Sequence, residues 1–185
     1  MATVTEKLIT AEEFFRMPDP PDGSKQELVR GVVVTMPPPG FRHGARQVRA
    51  VTLLDNYART TQSGRVTVER GVVTERGPDS VRGRDVAFWS FERLPADIEP
   101  EGYPNVSPDM CVEMLSPGRK LRAILDKLRE YFASGVRMVW IIDPEDRIVT
   151  VYRSPDEGRV YHESATLTGE EVLPGFTCRV AELFA

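Results

Sequence analysis

The chain has 185 residues, a net charge of −4 and an ordinary apolar fraction, enough for a sizeable core in a single domain spanning 1–185. The mild acidity gives no sign of a protein coated in cations for nucleic acid, although charge near a site matters more than the sum. Two cysteines, Cys111 and Cys178, lie in apolar stretches and make no disulfide framework. With no basic-then-apolar leader and no apolar run of membrane-spanning length, a cytoplasmic protein with no membrane partner is expected.

In chain order, Thr10-Ala11-Glu12-Glu13 is a capping box and predicts a short helix over 11–17 that stops before Pro18. A Pro/Asp/Gly loop follows. Glu27-Leu28-Val29, Arg30-Gly31 and residues 32–36 read as a tight hairpin with β-branched arms, broken by Pro37-Pro38-Pro39-Gly40. Val51, Leu54, Tyr57 and Ala58 mark a helix over 43–60, with its stop at Gly64. Residues 66–69 and 71–74 are strand-like, 77–83 a loop, 85–89 a strand and 93–108 a proline-rich loop. A strand over 110–115 precedes an amphipathic helix over 121–134, whose apolar stripe includes Leu121, Ile124, Leu125, Leu128, Tyr131 and Phe132 and which stops at Gly135. Strands at 138–142 and 147–153 follow, then a turn at Leu173-Pro174-Gly175-Phe176 and a short helix over 181–184. A helix between two apolar strands favours a parallel crossover, so the fold class expected is α/β: a central mixed sheet flanked by helices, with an N-terminal helix and β-hairpin.

Strand 110–115 is the most telling element. Alternation puts Asp109, Cys111, Glu113 and Leu115 on one face and Met110, Val112 and Met114 on the other. A carboxylate inside such a strand is costly unless it is paired or binds a cation. Asp85 opens another core strand. If the two strands are neighbours, Asp85 and Glu113 can converge on a hard divalent cation such as Mg²⁺, which polarises a phosphodiester and acidifies a bound water. Lys127 borders the apolar stripe of the following helix, from where its ammonium could orient the water and stabilise the transition state. Bland roles stand beside these. Lys127 could snorkel, Glu27 could pair with an arginine, Asp85 could pair with Arg82 or Arg84, and Asp109 could be a turn residue. His43 could cap a helix or contact a phosphate. Arg119, Lys120 and Arg122 form either a solvated basic turn or a phosphate contact at the helix start.

Taken together, Leu8-Ile9-Thr10-Ala11-Glu12-Glu13-Phe14, Glu27-Leu28-Val29-Arg30-Gly31, Met36-Pro37-Pro38-Pro39 with His43, Asp85-Val86-Ala87-Phe88, and Pro108-Asp109 to Glu113 with Leu115-Ser116-Pro117 form an ordered set. Lys127 with Tyr131, Gly135-Val136, Trp140-Ile141-Ile142-Asp143-Pro144 and Leu173-Pro174-Gly175-Phe176 complete it. This set resembles the Uma family of restriction-endonuclease-like proteins in the PD-(D/E)XK phosphodiesterase superfamily, over nearly the whole chain. The resemblance implies a restriction-endonuclease-like core, Mg²⁺ or Mn²⁺, and hydrolysis of phosphodiester bonds in DNA. Asp85 matches the signature aspartate, Glu113 the second acid, Glu27 an additional family acid, and Lys127 a lysine displaced onto the next helix. Two positions depart from the pattern: Arg84 stands where a proline precedes the aspartate, and Leu115 stands at the usual motif lysine. The reading is therefore a metal-dependent endonuclease with Asp85, Glu113, Lys127 and Glu27 as catalytic residues. Asp85 and Glu113 hold the metal, and His43, Arg119 and Lys120 touch substrate. A homodimer would match the two strands of a duplex. The alternatives are a non-catalytic nucleic-acid- or protein-binding member of the fold, and a hydrolase of smaller phosphate substrates.

Overall fold

Strand β7 (Met110–Met114) is buried along its whole length, and the rest of the chain is arranged to cover it. This computed structural model describes residues 8–38, 40–69, 71–115 and 121–185. A six-stranded sheet has the order β10-β9-β8-β7-β6-β3. Its strands are β3 (Gly64–Val68), β6 (Val86–Ser90), β7, β8 (Met138–Asp143), β9 (Ile148–Ser154) and β10 (Glu157–His162). β7 and β8 run parallel, joined across α3 (Leu121–Ala133); every other pairing in the sheet is antiparallel. The expected mixed sheet and crossover are both present.

Alternation along β7 divides the core in two. Met110, Val112 and Met114 join Trp140 and Ile142 under Ala50, Leu54 and Ala58 of α2 (Phe41–Thr61), together with Leu173, Phe176 and Leu183 from the C-terminal segment. Cys111 faces the other way with Val139 and Ile141, beneath Ile124, Leu128 and Tyr131 of α3. Burying a side chain such as Leu128 contributes about 1.5–3 kcal/mol, so α3 is fixed by its apolar stripe and its polar edge is carried along.

A second, four-stranded antiparallel sheet, β2-β1-β5-β4, stands beside this edge of α3. It comprises the hairpin β1 (Lys25–Val29) and β2 (Val32–Met36), then β4 (Gly71–Glu75) and β5 (Ser80–Gly83). The hairpin turn puts Arg30 and Gly31 at φ 49° and 78°, the mirror-image turn that suits strand twist. Helix α1 (Ala11–Phe15) has its capping box formed: Glu13 N donates to Thr10 Oγ1 at 3.1 Å, and Thr10 N donates to Glu13 Oε2 at 2.9 Å.

Several expectations are corrected. Residues 80–83 form β5 rather than loop, because β1 and β4 flank them and supply hydrogen-bond partners. Asp85 lies just before β6 instead of opening it. Helix α2 ends at Gln62, in left-handed conformation (φ 51°), while Gly64 starts β3, where a Cβ would come 2.2 Å from the Trp89 carbonyl oxygen. Asp109 is no turn residue on the surface. It is fully buried, accepts from Ser90 N at 2.8 Å and pairs with Arg93 and Arg137. Strands β10, β11 (Thr166–Thr168) and β12 (Thr177–Arg179) were not anticipated; β10 is exposed at nearly every position and so lacks an alternating pattern. The terminal helix over 181–184 is a 3-10 turn, Val180–Leu183. Cys111 and Cys178 are buried free thiols, and among the described residues no helix is long and apolar enough to cross a membrane.

Candidate active site

Glu113 faces α3, as its place in β7 requires. Tyr131 Oη donates to its Oε1 at 2.5 Å, and Lys127 Nζ lies 3.2 Å from its Oε2. One helical turn separates Lys127 from Tyr131, so both reach the same carboxylate. Lys127 does not snorkel. Its ammonium points inward, 2.8 Å from Glu27 Oε1 and 3.3 Å from the Gly83 carbonyl oxygen. Glu27 comes from the inner face of β1 and passes the network on: its Oε2 accepts from Arg82 at 2.9 Å, and Arg82 forks onto both oxygens of Glu130 on α3, each at 2.6 Å. An Arg–carboxylate fork of this kind ties the small sheet to the helix with two directed, charge-assisted bonds.

The electrostatics follow from burial and pairing. Burial pushes the Glu27 carboxyl up, but Lys127 and Arg82 outweigh it and hold it below the ordinary carboxylate value. Burial, with the nearby charge of Glu113, keeps the Tyr131 hydroxyl protonated well above its ordinary range, so it remains a donor to Glu113.

Asp85 occupies the other half of the site. The register of β6 and β7, Val86 opposite Val112, brings Asp85 beside the end of β7, where Met114 N donates to its Oδ2 at 2.6 Å. Its Oδ1 meets His43 Nε2 at 3.0 Å and Lys25 Nζ at 3.2 Å. Burial raises this carboxyl, yet the His43 and Met114 hydrogen bonds and the nearby charges bring it down to about 2. Lys25 also lies 2.7 Å from Glu69 Oε2, and Gln47 Nε2 bridges Glu69 Oε1 (2.8 Å) and the Asp85 carbonyl oxygen (2.7 Å). Glu69 itself sits in left-handed backbone, φ 52°, directly after β3.

Glu27, Glu113 and Lys127 line one open cleft of about 1380 Å³ together with Lys25, Glu69 and Asp85, with Arg42 and Arg46 of α2 on its wall. The residues expected at the site, Glu27, His43, Asp85, Glu113 and Lys127, are thus brought together. Arg119 and Lys120 lie outside the described residues. Among those described, one nitrogen of His43 and one oxygen each of Glu69 and Asp85 lie within 4.8 Å of one another, a set of two hard oxygens and one borderline nitrogen that could hold a divalent metal ion. Glu113 is outside that trio.

Glu69, Lys25, Arg82, Glu130 and Gln47 were missed in the sequence. Lys25 had a signal, standing two positions before Glu27 on the same strand face. Glu69 had none, because only folding brings its turn to Asp85. Arg84, the departure from the proline pattern, is buried with its guanidinium 5.3 Å from the centre of the Tyr131 ring, and among the described residues none of its three nitrogens has a hydrogen-bond partner.

Residues 11–181 match the Uma2 family, described as "Putative restriction endonuclease". The chain belongs to the Uma2 family. A solved structure from Anabaena variabilis, described as "a putative nuclease belonging to DUF820", is 23% identical, is covered over 97% of its length against 95% of this Uma2 chain, and superposes with a TM-score of 0.78. That likeness shows the shared fold. No curated protein matches the chain.

Proposed function

We propose that this Uma2 protein is a divalent-metal-dependent nuclease that hydrolyses phosphodiester bonds in DNA. The observation that carries the reading is a buried lysine, Lys127, held between Glu27 and Glu113 in the same cleft as Asp85. Membership of a family described as endonucleases, and a neighbour described as a nuclease, support it. Asp85 would hold the ion through Oδ1, with His43 and Glu69 close enough to share it and Glu113, the second signature acid, on the adjoining strand. Bound Mg²⁺ or Mn²⁺ would polarise the phosphodiester and acidify a water.

The chain's own groups divide the remaining work. Lys127 would offer positive charge where negative charge develops on the phosphoryl oxygens, and Tyr131 and Glu27 fix its surroundings. Arg42 and Arg46 would position the backbone phosphates, and Arg119 and Lys120, which precede α3 in the sequence, are proposed to do the same. A homodimer would present two such sites to a duplex.

The test is nicking of supercoiled plasmid with Mn²⁺ by the wild type, Asp85→Asn and Lys127→Met. Loss of about 10²-fold or more in each variant is expected, the scale typical of removing one electrostatic contributor. Full cleavage by Asp85→Asn would refute the assignment. Leu115 at the usual lysine position favours one second reading, a non-catalytic DNA-binding member; it predicts no cleavage and salt-sensitive binding.

A further inference from the structure

The two oxygens of Asp85 face different neighbours. Its Oδ2 is committed to the Met114 amide of β7 at 2.6 Å, and a backbone donor inside a sheet cannot turn away. An ion shared with His43 would take Oδ1, the oxygen that faces the His43 ring nitrogen, and this is where Lys25 sits. The Lys25 ammonium touches two of the three donors of the His43–Glu69–Asp85 trio: Asp85 Oδ1 at 3.2 Å, and both oxygens of Glu69, at 2.7 and 2.8 Å. A lysine ammonium and a divalent cation compete for the same carboxylate oxygens, and at this spacing their like charges exclude joint occupancy.

The two lysines of the cleft are placed differently. Lys127 is enclosed, its side chain 11% exposed between two buried carboxylates. Lys25 stands at the rim, its side chain 27% exposed, against Glu69 at 41%. Lys25 is the more exposed of the two lysines. Gln47 braces Glu69 and the Asp85 backbone, so the two acids keep their places when the lysine leaves.

We propose that Lys25 is a built-in cation latch: its ammonium fills the position between Asp85 Oδ1 and Glu69 that a divalent ion held by the trio would take, and metal binds there only as the lysine swings out to solvent. This rests on the assignment of Asp85 as a metal ligand. The latch keeps the acids neutralised without metal and lowers the apparent affinity by the fraction of time it is closed. A latch closed about nine-tenths of the time or more weakens apparent binding about tenfold or more.

The experiment is calorimetric titration of the full chain with Mn²⁺ alone, at neutral pH, without DNA. Lys25→Met should bind about tenfold more tightly than the wild type, Lys25→Arg should stay close to it, and Lys25→Met/Asp85→Asn should lose the gain. Lys25→Gln repeats the test with a polar side chain should the methionine variant fold poorly. Equal or weaker binding by Lys25→Met, with the wild type binding normally, overturns the latch and leaves the metal assignment standing. A gain of the same size in Arg46→Met, which removes a cleft charge that does not touch Asp85, also overturns it. Absence of binding in both the wild type and Lys25→Met removes the metal assignment and the latch together.

Discussion

Replacing Lys127 by methionine separates a lysine that snorkels from one that holds a site together. In the wild type the ammonium neutralises Glu27 and Glu113, which are 3% and 4% exposed. Removing one partner of a buried pair costs about 3–5 kcal/mol, because the remaining charge stays out of water. Here Glu27 retains Arg82 at 2.9 Å and Glu113 retains Tyr131 at 2.5 Å, which brings the expected loss to about 2–4 kcal/mol. A lysine whose head lay in solvent would cost no more than about 0.5 kcal/mol. Urea unfolding of the metal-free protein, followed by the fluorescence of the buried Trp89 and Trp140, measures the difference. The pH dependence gives a second, independent reading. In the wild type the Glu27 carboxyl lies below its ordinary value, so its contribution is present above the unfolded pKa and is lost as pH falls through the folded one. Without Lys127, only Arg82 opposes burial, so that carboxyl rises from its lowered position and the variant recovers stability as pH falls. The deficit of Lys127→Met should therefore shrink between neutral pH and about pH 5, and adding Glu27→Gln should recover part of it at neutral pH. A loss below about 0.5 kcal/mol, or a deficit that does not change with pH, refutes the argument.

The other predictions concern Asp85 and Arg84. Asp85 titrates at about 2 against an ordinary 3.8, a gap of about 2 kcal/mol that is present above the ordinary value and lost as pH falls through about 2. Asp85→Asn should thus be less stable than the wild type by about that amount at neutral pH and equal to it near pH 2, in parallel urea midpoints. Arg84 buries a guanidinium with no hydrogen bond among the described residues, so Arg84→Met should leave thermal stability unchanged or raise it by about 1–3 kcal/mol. A drop of more than about 1 kcal/mol would mean that its contact with Tyr131 outweighs its lost hydration.

Local pattern determined a large part of this protein. The alternation Met110-Cys111-Val112-Glu113-Met114 by itself places Glu113 on a buried face, because side-chain direction in a strand has a period of two. The stripe from Ile124 to Tyr131 fixed which edge of α3 meets that face, and so brought Lys127 to Glu113. The Arg30-Gly31 turn set the register of the hairpin that carries Glu27. These are properties of a few neighbouring residues and can be read from them.

What the tertiary structure alone decided is who answers each charge. Lys25 meets Asp85 across 60 residues of chain and Glu69 across 44, and Arg82 meets Glu130 across 48. Residues 80–83 became a strand because β1 and β4 came to lie on either side of them. Arg84 looked like a partner for Asp85, yet it turned under Tyr131 while His43 and Lys25 took the carboxylate. A sequence lists its charges, but Coulomb interactions and hydrogen bonds depend on distance in space. That distance is set by how two sheets and two helices bury their apolar faces, which no single stretch of the chain contains.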